Sequence, residues 1–315
     1  MATTWQNIET ARERISPFLH HTPVMTSGRL DALTGAHLFF KCENLQKTGS
    51  FKVRGAFNAV YSMDEDQVSR GLLTHSAGNH GAAVASAAAS RGVPSWVVMP
   101  DNAPVPKKAA VAGYGATVVE CPPVVAERER IAADLLAETG ATFLHPYDDD
   151  LVIAGQATTA CELIEEAGEL DIVLCPVGGG GLLAGTALAV DRLLPDAITY
   201  AAEPKGADDA KRSFDAGHII PQTGPETMAD GLLTSVGERN FAVMRDKVQD
   251  VLTVSEGGIE KAMRLVWTRL KQVIEPSAAV ALAAILEYPD LFAGKRVGLI
   301  LTGGNVDLDR LPWAK

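Results

Sequence analysis

Apolar residues run on without strict alternation in seven short stretches: AHLFFKCE (36–43), SWVVMP (95–100), ATVVEC (116–121), DIVLCPVG (171–178), AITYAAEP (197–204), DVLTVSE (250–256) and RVGLILTGG (296–304). Continuity of this kind, with many β-branched residues, predicts strands covered on both faces. Between them lie longer alanine-rich or amphipathic stretches: AAVASAAASRG (82–92), VVAERERIAADLLAETG (124–140), QATTACELIEEAG (156–168), GIEKAMRLVWTRLKQ (258–272) and SAAVALAAILEY (277–288). These predict helices. Strand and helix in alternation predict an α/β fold of mostly parallel open sheets covered by helices. Several predicted strands end in glycine or a small polar residue just before a helix, and that carboxyl edge is where open α/β sheets bind ligands. No repeat, low-complexity tract or Ser/Pro linker separates two halves, so a second lobe has to be inserted within the first.

Composition narrows the function. The chain has 315 residues, 47% hydrophobic and 21% charged, with a formal net charge of -11. A size above the usual single domain predicts two lobes and a sizeable core. The acidic balance argues against nucleic acid as a partner. No apolar run approaches the ~20 residues of a membrane span, and the amino end, MATTWQNIETARERISPF, has no apolar leader core. The expectation is a soluble, cytoplasmic protein acting on a small molecule. Cys42, Cys121, Cys161 and Cys175 lie among apolar neighbours with no CxxC spacing and no histidine partners, which predicts buried, reduced thiols.

Four short motifs carry candidate chemistry. In CPVGGGGLLAGTALAV (175–190), consecutive glycines follow a strand and open a helix, a cradle for an anion. The residues leave three readings open. Gly179, Gly181 and Ala184 fit a GxGxxA dinucleotide turn, with Glu203 nineteen residues after Ala184 as the ribose acid. Alternatively, Gly178, Gly179, Gly180 and Gly181 cup one phosphate monoester, or they simply allow a tight turn. HSAGNHG (75–81) sets Ser76, Ala77, Gly78, Asn79 and His80 at a second strand-to-helix boundary, suited to a carboxylate. LTGGNVD (301–307) is expected to repeat that arrangement with a hydroxyl, Thr302, ahead of two glycines. Finally, KTGSFKVRGA (47–56) places Lys52 among small and apolar residues with Arg54 two places on. Desolvation and that like charge are expected to lower its pKa toward a nucleophilic amine.

KCENLQKTGSFKVRGA, SAGNHG, GGGG, AEPKGADDA, MADGLLTSVG, EPSAAVALAA and TGGNVDL, in this order from about residue 20 to about 310, resemble the fold type II pyridoxal-phosphate enzymes. Within these, the resemblance is to the serine racemase and serine/threonine dehydratase family. It implies pyridoxal 5'-phosphate as cofactor, held in a Schiff base by Lys52. Phe51 would lie against its ring, Asn79 bond its 3-hydroxyl, Gly178 to Gly181 hold its phosphate, and Thr302 face its pyridine nitrogen. A large lobe, 1–70 with 148–315, and a smaller mobile lobe, 71–147, are implied, as is a homodimer. A neutral hydroxyl at Thr302 favours expulsion of a β-hydroxyl over a long-lived carbanion, so the implied activity is PLP-dependent dehydration and deamination of L-serine or L-threonine to a 2-oxo acid and ammonia.

The chain departs from the racemase pattern at Ala77, where eukaryotic serine racemases carry a serine that exchanges a proton on the second face. Alanine cannot, so elimination should dominate over racemisation. Ser76 to His80 would bind the substrate, with Arg128, Tyr147 and Thr234 bordering its side chain. Arg128 in AERERIA reads either as a solvated cation or, turned inward, as a fork for a second carboxylate, which suits 3-hydroxyaspartate. The resemblance also implies a hard-oxygen site of Glu203, Asp209 and the carbonyl of Ala207 for Mg²⁺, or Ca²⁺ or Mn²⁺.

Overall fold

The computed structural model describes residues 2–314. Along them run β1 (Val24–Met25), β2 (His37–Cys42), β3 (Leu72–His75), β4 (Ser95–Pro100), β5 (Thr117–Cys121), β6 (Thr142–Phe143), β7 (Ile172–Pro176), β8 (Ile198–Pro204), β9 (Asp250–Val254) and β10 (Arg296–Leu301). They form two sheets. One has six strands in the order β1-β2-β10-β7-β8-β9, parallel except for β1, which is antiparallel to β2. The other has four parallel strands in the order β5-β4-β3-β6. The chain leaves the six-stranded sheet after β2, builds all of the four-stranded sheet, and returns at β7, so the smaller sheet is an insertion into the larger. The expected α/β architecture is thus realised.

The continuous apolar runs become strands because helices cover both faces. Every residue of β7 is buried. The helix Pro276–Glu287 is apolar all round and buried from Ser277 to Ile285, since it is enclosed by the helix Glu256–Leu265 and by β7 to β10. Three helices, Lys52–Ser62, Asp150–Ala167 and Gly181–Leu193, cross closely. Glycine permits the approach: a Cβ at Gly155 would stand 2.6 Å from the Arg54 carbonyl, and one at Gly185 would stand 2.6 Å from the Ala157 amide.

The helix expected over 258–272 breaks into Glu256–Leu265 and a π-helical turn, Val266–Leu270, closed by Lys271 at φ 59°. Within that turn the Trp267 indole donates to the Ile274 carbonyl at 3.1 Å. Among the elements not assigned from the sequence are the short strands β1 and β6 and the helices Trp5–Ile15, Gly28–Thr34, Lys52–Ser62, Val105–Gly113, Asp209–Ala216 and Glu238–Lys247. The four cysteines are buried and free, as expected. Among the described residues no helix is long and apolar enough to cross a membrane.

Candidate active site

Lys52 opens the helix Lys52–Ser62 at the end of a loop that other parts of the chain hold in place. In that loop Thr48 and Gly49 both take positive φ, 62° and 72°. Threonine there is strained, and the strain persists because the surroundings impose it. The turn after β10 does this: Asn305 Nδ2 donates to the Thr48 carbonyl at 2.8 Å, Gly304 N to Gly49 O at 2.9 Å, and Phe51 N to Thr302 O at 3.0 Å. LTGGNVD therefore corrects an expectation. Only a three-residue 3-10 turn, Leu308–Arg310, follows it, and its Thr302 carbonyl, Gly304 amide and Asn305 side chain clamp the Lys52 loop instead of opening a long helix.

The Lys52 ammonium donates to the Pro146 carbonyl at 3.0 Å and lies 5.2 Å from the centre of the Phe51 ring. Burial lowers its pKa to about 8, against the pull of the Glu275 carboxylate. The expected contribution of Arg54 is absent. Its guanidinium turns away to bind Glu43 at 2.7 and 2.8 Å and Glu162 at 2.7 Å, so its charge is compensated. Desolvation, not like charge, sets the amine.

Two helix amino ends converge near Lys52. The amides of Gly178, Gly179, Gly180 and Gly181 are buried and have no protein acceptor among the described residues. Four buried, unspent donors at the start of a helix form a cradle for an anion. Neighbours fill the space beyond these glycines: a Cβ at Gly179 would run into the Tyr147 ring, one at Gly180 would stand 2.8 Å from Asn240 Cβ, and Gly180 itself has φ 91°. At the second end, the helix Asn79–Arg91 likewise starts with free amides at Asn79 and His80, next to Ser76 and Ala77. Asn79 Nδ2 donates to Glu275 at 2.7 Å, and Asn79 Oδ1 accepts from Asn305 at 3.0 Å. His80 is 3% exposed, neither ring nitrogen has a hydrogen-bond partner, and burial beside the Lys52 charge holds its pKa well below the usual histidine range.

The side-chain pocket gathers the expected Arg128, Tyr147 and Thr234 with two groups that sequence reasoning missed, His75 and His145. Arg128 turns inward: its Nε is buried without a partner, and its charge acts on His75 and Tyr147. Burial, then Arg128, then His145 push His75 down to about 4, so it is neutral at physiological pH. The His75 and His145 rings stand 6.5 Å apart, and His145 meets Tyr147 edge-on at 4.7 Å. His145 Nδ1 accepts the amides of Tyr147 at 3.3 Å and Asp148 at 2.9 Å, which shapes the loop that aims the Pro146 carbonyl at Lys52. Burial raises the Tyr147 phenol, and the Thr234 hydroxyl beside it works in the opposite direction. The histidine in HSAG and the histidine–proline pair before Tyr147 were the available signals.

Glu203 and Asp209 are buried and lack a bonded cation. Glu203 accepts the amides of Ala210 and Lys211 at 3.2 and 2.6 Å, and Asp209 that of Val236 at 2.9 Å. Burial raises Glu203 to about 9 and Asp209 to about 6. The nearby cations are spent elsewhere: Lys211 Nζ binds Asp215 and Asp250, and Arg212 binds Asp208. Enclosed this way, Glu203 is closed to a ribose, which removes the dinucleotide reading. No cluster of three His, Cys, Asp or Glu side chains suited to a metal occurs among the described residues; the two carboxylates and the Ala207 carbonyl, which accepts no hydrogen bond, are the available oxygens.

Comparison with known proteins agrees with this geometry. The family model described as pyridoxal-phosphate dependent enzyme matches residues 15–303. The beta-hydroxyaspartate dehydratase of Paracoccus denitrificans (strain Pd 1222) is 51% identical over 310 residues, 98% of each chain. The serine racemase of Dictyostelium discoideum is 48% identical over 316 residues, 99% of this chain and 98% of the other. Among solved structures, the threonine deaminase of T.th. superposes with a TM-score of 0.93 at 47% identity, covering 97% of this chain and 99% of that one. With a lysine amine whose pKa burial lowers to about 8, four glycine amides that no protein group among the described residues accepts, and that match across most of its length, the chain belongs to the pyridoxal-phosphate dependent enzymes.

Proposed function

We propose that the protein is a PLP-dependent ammonia-lyase that removes the β-hydroxyl and the amino group of a small L-hydroxy amino acid, releasing a 2-oxo acid and ammonia. Within that class, 3-hydroxyaspartate is favoured over serine and threonine. The observation that carries this choice is the inward Arg128, whose buried Nε has no partner and whose neighbours His75 and Tyr147 bring no negative charge at neutral pH. An uncompensated guanidinium in a substrate pocket fits a second carboxylate, which it can grip as a fork. The hydroxyaspartate dehydratase name of a 51% identical relative supports the same reading.

The residues present suit the cofactor. The unspent amides of Gly178 to Gly181 would hold its phosphate, Phe51 would flank the ring, Asn79 would meet its 3-hydroxyl and Thr302 its ring nitrogen. When bound, pyridoxal phosphate supplies the electron sink that makes the Cα–H bond of an amino acid acidic. The chain does the rest. Free amides at Asn79 and His80, with Ser76 and Gly78, orient the α-carboxylate, and Arg128, Tyr147 and Thr234 enclose the side chain. Lys52, whose amine becomes largely neutral only above about pH 8, takes the Cα proton. On the second face Ala77 has no exchangeable proton, so the proton taken is not returned there and elimination prevails over racemisation.

The proposal extends to organisation. Residues 71–147 form the smaller unit that closes over the site, and 1–70 with 148–315 form the cofactor-binding unit. Glu203, Asp209 and the Ala207 carbonyl would hold Mg²⁺, or Ca²⁺ or Mn²⁺, as a charge-neutralising structural ion. A cytoplasmic homodimer acting on a small amino acid completes the reading.

The test is ammonia and 2-oxo acid release from 3-hydroxyaspartate, L-serine and L-threonine by the cofactor-loaded enzyme and its Arg128→Leu variant. Loss of one charge-assisted fork should cut kcat/KM for 3-hydroxyaspartate about 10- to 150-fold and leave serine nearly unchanged. Equal losses on all three substrates, or no preference in the parent enzyme, would remove the dicarboxylate reading.

A further inference from the structure

Lys107 lies in the first turn of the helix Val105–Gly113, where the helix dipole disfavours a cation and where no side chain caps the end. Its placement is explained by what it reaches. The stem lies over Gly78, so closely that a Cβ there would stand 2.5 Å from Lys107 Cδ. The ammonium pairs with Asp230 and lies 3.7 Å from Glu275 Oε2. Asp230 and Glu275 both belong to the stretch that builds the six-stranded sheet, whereas the helix carrying Lys107 packs on the four-stranded one. Apart from the exposed Arg91–Glu65 pair, every ion pair that links residues 72–143 to the rest of the chain uses Lys107, among the described residues.

We infer that Lys107 is a positioning residue, a latch that ties the four-stranded unit across the cleft to Asp230 and Glu275 and so holds the two sheets together beside the Lys52 site. Glu275 shows why this matters for the site. Its Oε1 accepts from Asn79, its Oε2 has no hydrogen-bond partner, and it is the one charged group acting against the burial of Lys52. Lys107 is thus the cation that reaches this carboxylate from the opposite side of the cleft. For Lys107 itself, burial alone would lower the pKa, and Glu275 and Asp230 more than reverse that. Removing this partly buried amine would leave the buried Glu275 carboxylate without its cation, which costs more than losing an exposed pair.

The test is amide hydrogen exchange on the full cofactor-loaded chain without substrate, for the parent, Lys107→Met, Lys107→Arg, Asp230→Asn and the Lys107→Met/Asp230→Asn double variant. Exchange in Val105–Gly113 and in the first turn of Asn79–Arg91 should rise about tenfold in Lys107→Met, in line with a loosened local unit. Asp230→Asn should raise it less, the double variant no more than Lys107→Met alone, and Lys107→Arg should stay near the parent. As far as catalysis is concerned the latch rests on the lyase reading, and there KM for the amino acid should rise about tenfold with a smaller change in kcat. Parent-like exchange in Lys107→Met, or additive effects in the double variant, would overturn the latch. Because exchange is read without turnover, that failure is separate from a failure of the lyase reading, which would appear as no 2-oxo acid from the parent enzyme.

Discussion

At the scale of single residues, the site is governed by what burial does to groups whose charges are unevenly matched. Arg54 is deep but balanced by Glu43 and Glu162. Lys52 is enclosed with only Glu275 to favour its charge, and its amine falls to about 8. The general base has to be neutral, so activity should be weak at low pH and rise as Lys52 loses its proton. We expect kcat, which reports the substrate-bound enzyme, to climb with pH to a plateau above about 8; an unperturbed lysine would place that climb near about 10.4. A pH–kcat profile flat from about 6 to about 9 would exclude Lys52 as the titrating base. Lys52, Asn79 and the four glycines could be read from their motifs. The inward turn of Arg128 could not, because AERERIA has the charge pattern of a solvated face, and only the fold reveals that Nε is buried. The same holds for Arg54: proximity in sequence suggested a charge acting on Lys52, yet residues two apart on a helix point in different directions.

At the scale of elements, the legible features were those with a period or with punctuation. Strands buried on both faces and the all-apolar helix Pro276–Glu287 stood out because their surroundings are uniform. The short strands β1 and β6 have two residues each, too few for any pattern, and the π turn at Val266–Leu270 contains no Gly or Pro to mark it. LTGGNVD resembled the two helix-opening turns in composition, but its Gly304 amide, Thr302 carbonyl and Asn305 side chain clamp residues 48–51. The loop between β8 and the helix Asp209–Ala216 is where a local prediction belongs. Glu203 and Asp209 tie that helix and the Val236 segment together through amides, and among the described residues neither buried carboxylate forms a salt bridge. A bound divalent ion would stabilise the folded chain by mass action. Chelation should therefore lower the thermal midpoint of the cofactor-loaded protein, Mg²⁺ should restore it, and Glu203→Gln should abolish the response. An unchanged midpoint on chelation would remove the ion from this loop.

At the scale of the whole molecule, one sheet is inserted into another, and the reacting groups lie where the two face each other. Lys52 comes from the helix that contacts both the helix Asn79–Arg91 of the small sheet and the helix Asp150–Ala167 of the large one. Arg128 and His75 come from the inserted segment, while the glycine cradle and Thr302 come from the larger sheet. Closure of the smaller unit, as proposed above, would assemble the site and exclude water when substrate binds. All of this assumes that Lys52, and no other lysine, is joined to the cofactor. Lys41 is the strongest competitor, being fully buried, but its ammonium is committed to Glu162 at 2.8 Å and Glu166 at 3.1 Å. The direct measurement is borohydride reduction of the cofactor-loaded protein followed by digestion and mass analysis. We predict one phosphopyridoxyl adduct per chain, on Lys52. An adduct on Lys41 or Lys107, or none, would contradict the account.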